Sequence, residues 1–172
     1  NRMYEFSRRL ISENNLTVDD LIYPIFITYG SNKKEKINSM PGIYRFSLDR
    51  LETEIKYISS LNIPAIAFFP QTETKLKTSD GREAVNKNNL VCEAMRISKK
   101  ANPELGVICD VALDPYTDHG HDGVIIDNHI DNDKTLEILC QQSLIQAEAG
   151  CNIIAVSYTH LRAHETDSYL VC

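Results

Sequence analysis

The chain has 172 residues, 42% of them hydrophobic and 24% charged, and a formal net charge of -6. That length supports one domain with a real core, and the composition is ordinary for a globular protein. The acid excess argues against nucleic acid or an anionic membrane as partner, and there is neither an apolar run long enough to span a bilayer nor a signal peptide.

Elements follow one another in a regular alternation. The chain begins with Asn1 rather than Met, which implies a trimmed or lost start. "LIYPIFITYG" (21–30) is a short apolar run closed by Gly and reads as a strand. "NSMPGIYRFSLD" (38–49) is a Pro-Gly turn before a helix, with Arg45 either solvated or serving a partner. The next helix starts at a Ser47 cap and repeats Leu48, Leu51, Ile55, Ile58 and Leu61 at helical spacing. "IPAIAFFP" (63–70) is a second strand, bounded by prolines. A second helix (89–101) puts Leu90, Ala94, Ile97 and Ala101 on one face, with Lys99 and Lys100 at its cation-favouring end. "LGVICDVALD" (105–114) is a third strand. The longest helix (133–150) is expected to be capped by Asp133, to bury Leu136, Leu139 or Cys140, Leu144 and Ala147, and to stop at Gly150. "CNIIAV" (151–156) is the fourth strand.

The order β-α-β-α-β-α-β with apolar strands implies a parallel sheet covered by helices. Both a doubly wound open sheet and a (β/α)8 barrel fit it, and a whole barrel takes about 250 residues. The five cysteines, Cys92, Cys109, Cys140, Cys151 and Cys172, form no C-x-x-C pair and read as reduced, mostly buried thiols.

In either fold the functional loops follow the C-terminal ends of strands. The densest polar cluster lies there, in "CDVALDPYTDHGHDG" (109–123). Asp110, Ala112 and Asp114 alternate, so they point to one face. The turn after Pro115 then brings Asp122 back over Asp114. Two carboxylates plus waters suit Mg2+ rather than Zn2+. Asp and Gly are also common turn residues, so a solvated acidic loop stays open, as does loop hydrogen bonding for His119 and His121. In "TSDGREA" (78–84) Asp80-Gly81 is a turn and Arg82 is a candidate carboxylate or phosphate holder, or simply exposed. His160, His164 and Glu165 have helical metal-ligand spacing without a further ligand.

Several runs together carry a resemblance: "LTVDDLIYPIFI", "INSMPGIYRFSLDRL", "IPAIAFFP", "DGREAVNKNNLVCEAMRISKKANPELGVICDVALDPYTDHGHDGV" and "QAEAGCNIIA". They resemble the porphobilinogen synthase (5-aminolevulinate dehydratase) family over residues 2–155. The resemblance implies the N-terminal half of a (β/α)8 TIM barrel (residues 21–155) behind an N-terminal arm (1–20) that holds Arg8 and Arg9. It implies condensation of two 5-aminolevulinate molecules to porphobilinogen in haem biosynthesis, in a cytoplasmic homo-octamer, with a pair of Schiff-base lysines. Ala112, Asp114 and Asp122 stand where zinc-dependent members have cysteines. The resemblance is therefore to the aspartate-rich branch, which uses Mg2+, with K+ as a second candidate cation, and no catalytic zinc. Asp110 matches an acidic residue near the substrate amino group, and is the catalytic candidate in this chain.

The similarity breaks at Val156. "VSYTHLRAHETDSYLVC" (156–172) resembles translated sequencing-adapter DNA instead, and the last lysine is Lys134. Without the Schiff-base lysines the chain alone is expected to be inactive. The rival reading is a non-catalytic divalent-cation-binding α/β module built on Asp114 and Asp122.

Overall fold

The computed structural model describes residues 3–156. Its elements run α1 (Glu5–Leu10), β1 (Ile22–Thr28), β2 (Lys34–Lys36), β3 (Tyr44–Phe46), α2 (Leu48–Ser60), β4 (Ala65–Gln71), α3 (Leu90–Ala101), β5 (Gly106–Asp110), β6 (Val124–Ile126), β7 (His129–Asp131), α4 (Asn132–Ala149) and β8 (Ile153–Ala155). The strands read from the apolar runs, β1, β4, β5 and β8, are parallel neighbours in that order. Ile25 lies opposite Phe68, Phe68 opposite Cys109, and Cys109 opposite Ile154. β3 adds in parallel on the other side of β1, β2 pairs antiparallel with β3, and β6 and β7 form a separate hairpin. These extra strands are three residues each, too short for a periodic signal, and β2 is the all-charged "KEK".

The strands bury one face, not two. Ile25, Ile27, Ile66, Phe68, Val107 and Cys109 pack with Leu51, Ile55 and Ile58 of α2, Ala94 and Met95 of α3, and Ile145 and Ala149 of α4. The alternate residues, including Phe26, Phe69, Ile108 and Asp110, stay half-buried or exposed on the face the helices do not cover. Strong amphipathic stripes on α2 and α3 explain why these helices form where expected.

Three local expectations change. Ser47 sits at the start of α2, but its hydroxyl accepts the Lys33 N–H at 2.8 Å instead of capping the helix. The cap of α4 is Asp131, whose carboxylate accepts the Lys134 N–H at 2.9 Å, not Asp133. The inner face of α4 is also rotated. Leu139 is buried as expected, but the neighbours buried with it are Thr135, Gln142, Ile145, Gln146 and Ala149, while Leu144 is 66% exposed and Cys140 and Ala147 face outward. The physical reason is that α4 faces bare backbone carbonyls beyond the end of β5, which need amide donors rather than leucines. Gly150 ends α4 in the left-handed region, φ 110°, as its position implied.

Candidate functional site

The site grows from the end of β5. Strand alternation puts Asp110 on the uncovered face with Ile108, at the C-terminal mouth of the parallel sheet. There the chain leaves the sheet, its last ladder bond running from the Val111 N–H to the Ala155 carbonyl at 2.8 Å. Pro115 follows, and the Tyr116 N–H closes a turn on the Leu113 carbonyl at 2.8 Å. Asp110, Ala112 and Asp114 line one cavity of about 270 Å³, with Phe68, Phe69 and Tyr116 among its walls. The shared face expected from their spacing therefore holds, although β5 itself stops at Asp110.

The loop turns back, with Gly120 in the left-handed region at φ 74°, and brings Asp122 onto the Leu113 backbone, outside the lining of the cavity that holds Asp114. The Asp122 side chain is only 7% exposed. Its Oδ1 accepts the Leu113 N–H, and its Oδ2 is buried with no hydrogen-bond partner. Burial pushes the Asp122 carboxyl above the ordinary carboxylate range; the Leu113 N–H pulls the other way, and the charge of Asp110 adds to the rise. Partial burial raises Asp114 too, followed by repulsion from Asp122 and Asp110, with the Lys77 ammonium opposing. Repulsion among these carboxylates thus adds to burial in raising Asp114 and Asp122.

The loop after β4 clamps the acidic loop from the side. Thr78 bridges Thr117: the Thr78 N–H donates to the Tyr116 carbonyl at 3.1 Å, and the Asp118 N–H to the Thr78 carbonyl at 3.2 Å. His119 Nδ1 accepts the His121 N–H at 3.1 Å, and its Nε2 lies 3.2 Å from the Ser79 carbonyl, so the neutral ring with a proton on Nε2 satisfies both contacts. His119 therefore works as a loop hydrogen-bonder. Arg82 holds a carboxylate of its own loop: its Nε is 3.3 Å from Asp80 Oδ1, while the Thr78 hydroxyl, donating at 2.6 Å, is the main cause lowering the Asp80 carboxyl. Arg45 and Lys77 line a second cavity of about 310 Å³ that shares Phe69, Pro70 and Pro115 with the first. A larger cavity, about 440 Å³, lies away from this mouth, among Tyr23, Tyr44 and Tyr57.

Among the described residues no group of three or more His, Cys, Asp or Glu is placed to hold a metal ion. The charge of Asp122 reaches Asp114, but Asp122 does not line the cavity that Asp114 lines. His160, His164 and Glu165 lie outside the described residues. Cys92 and Cys109 are buried thiols, Cys151 is half-buried and Cys140 exposed. Sequence reasoning missed Lys77, Gln142 and Gln146. The available signal for the glutamines was the pair of amides four residues apart in "QQSLIQ", at the spacing of one helix face.

Comparison with known proteins extends these observations. The family model described as delta-aminolevulinic acid dehydratase matches residues 1–160, running beyond the break expected at Val156. The delta-aminolevulinic acid dehydratase of Bradyrhizobium diazoefficiens is 55% identical over 157 residues, which are 91% of this chain and 44% of that protein. That of Chlamydia pneumoniae is 40% identical over 157 residues, 91% of this chain and 47% of that protein. The crystal structure of the Toxoplasma gondii enzyme, in complex with the reaction product porphobilinogen, superposes with a TM-score of 0.85 at 33% identity, covering 98% of this chain and 50% of that one. The chain thus spans about half the length of the relatives it matches, and its parallel sheet corresponds to a fragment of their TIM barrel.

Proposed function

Because the chain belongs to the delta-aminolevulinic acid dehydratase family, we propose that its parent protein condenses two molecules of 5-aminolevulinate to porphobilinogen, with loss of water, in haem biosynthesis. The observation that carries this reading is the cavity lined by Asp110, Ala112 and Asp114 at the C-terminal ends of parallel strands, where barrel enzymes place their chemistry. The product-bound Toxoplasma relative supports the same small-molecule chemistry.

In this reading Asp110 receives the ammonium of a substrate molecule. An anionic carboxylate on the uncovered face attracts and orients that group, and Phe68 and Phe69 shield it from bulk water. Asp114 and Asp122 are the pair that would hold Mg2+. The fit rests on the donor set: hard oxygens with no thiolate at Ala112, and a buried Asp122 Oδ2 that lacks any partner. Mg2+ commonly takes one or two carboxylates and keeps several waters, so this pair suffices without a third protein ligand. When bound, the ion would supply positive charge to polarise a substrate oxygen. K+ is a second candidate cation, and no catalytic zinc is expected.

The family's amine chemistry needs lysines that attack a ketone. Among the described residues no lysine lines the acidic cavity, and Lys134 is exposed in the first turn of α4. We assign the Schiff-base lysines to the portion of the relatives this chain does not match, so the 172-residue chain by itself makes no product. We further propose a cytoplasmic homo-octamer. α1 buries none of its residues, as an arm meant for a neighbouring subunit would, and no described helix is long and apolar enough to cross a membrane.

The test uses the full-length protein with 5-aminolevulinate, Mg2+ and K+. Porphobilinogen should form, and borohydride should trap substrate on a lysine outside this chain. Absence of porphobilinogen overturns the reading. Activity lost on zinc chelation and restored only by Zn2+ overturns the metal assignment alone.

A further inference from the structure

The aspartate-bearing segment starts at the last residue of β5 and runs past the end of the sheet, so beyond Val111 its backbone polar groups need partners other than a strand. Four of those between Asp110 and Leu113 find partners as follows. The Val111 N–H reaches Ala155, and the Leu113 N–H reaches Asp122. The two outward carbonyls go to α4: Gln146 Nε2 donates to the Asp110 carbonyl at 3.4 Å, and Gln142 Nε2 to the Ala112 carbonyl at 3.2 Å. Thr135, nearer the start of the same helix, accepts the Val124 N–H at 2.9 Å and so holds the far end of the same loop.

Both glutamines are fully enclosed, 0% and 1% exposed, and the Oε1 of each has no partner. Turning either amide over would set oxygen against carbonyl oxygen, so the amide orientation is dictated by the backbone it faces. A buried acceptor without a partner is unfavourable; an apolar side chain of the same shape would remove the orphaned Oε1 but leave the facing backbone carbonyl without its donor. Each amide satisfies one buried carbonyl and orphans its own oxygen, so the net gain in stability is small and what the pair adds is a backbone held in place.

We infer that Gln142 and Gln146 are positioning residues: their amide donors fix the Ala112 and Asp110 carbonyls so that Asp110, Ala112 and Asp114 present one wall to the cavity. This rests on the reading of that cavity as the substrate site. The consequence for catalysis is geometric. A strand end free to rotate would still bind substrate but would misplace the carboxylates during reaction.

The experiment compares Gln142→Met and Gln146→Met with Ile145→Val in the full-length protein. Met keeps the length and removes the donor, while Ile145 is buried on the same helix and is not bonded to the segment. In each Met variant, hydrogen exchange of amides 111–123 should quicken about fivefold while α4 stays protected. kcat should fall about tenfold with KM within about twofold. Tm should shift by only a few degrees, because an unpartnered Oε1 is gone while a backbone carbonyl has lost its donor. Ile145→Val should change neither exchange in 111–123 nor kcat. Parent-like exchange in the Met variants, or the same changes in Ile145→Val, overturns the inference. If the full-length parent makes no porphobilinogen, the functional reading falls, and exchange alone decides the positioning.

Discussion

Asp122 joins two roles in one side chain: Oδ1 ties down the Leu113 N–H, while Oδ2 sits buried without a partner. Burial raises its carboxyl above the ordinary value of 3.8 in the folded chain. The folded state therefore holds the proton more tightly than the unfolded state, and ionisation costs stability. That contribution is full below the ordinary value and is lost as pH rises through the window above 3.8. Asp122→Asn keeps the acceptor for Leu113 and cannot ionise. With divalent cations chelated, the Tm of the full-length variant should decline less over that window than the parent's. Parallel Tm curves against pH would contradict the account. The turn that carries Asp114 and Asp122 was legible at this scale, because both are short polar residues around Pro and Gly. The orphaned oxygen was not, because it depends on which backbone groups the turn encloses.

Among the elements, α3 shows how a cap ties a helix to the site loops. Asn89 is 1% exposed; its oxygen accepts the Cys92 N–H at 2.9 Å, and its amide lies 3.3 Å from the carbonyls of Glu83 and Ala84. Asn89→Ala removes the cap and leaves buried carbonyls short of a donor, so the loss should be about 2 kcal/mol or more. Urea unfolding of the full-length protein measures it, and a loss under about 0.5 kcal/mol would refute it. Hydrophobic period placed α2, α3, β1, β4 and β5 because each meets an apolar partner, and the apolar run of β8 placed that strand although its side chains stay exposed. The period misplaced the inner face of α4 because that face meets carbonyls, and Gln142 and Gln146 look like surface residues in a linear pattern. The short β2, β3, β6 and β7 were missed since three residues carry no period and their pairing is non-local.

At the scale of the whole molecule, among the described residues the sheet has one covered face and an open flank at β8. β8 is exposed along its length, with Ile153 at 53% and Ile154 at 40%, and Phe69 is 39% exposed on the uncovered face. An unpaired apolar strand edge is a template for association. The 172-residue chain alone should sediment as a concentration-dependent mixture of associated species. A single stable monomer in sedimentation velocity would show that this flank needs no cover. The sequence by itself determined the strand-helix alternation, the parallel sheet, the family and the aspartate cluster, because these follow from local periodicity and from residues close in the chain. Only the tertiary structure decided which face of α4 turns inward, that Asp122 grips Leu113, that the loops after β4 and β5 are joined at Thr78 and Thr117, and that Asp110, Ala112 and Asp114 share a cavity. Those outcomes depend on satisfying buried backbone groups with partners far away in the chain, as in the bond from Gln142 to the Ala112 carbonyl 30 residues before it, and no local pattern encodes such partners.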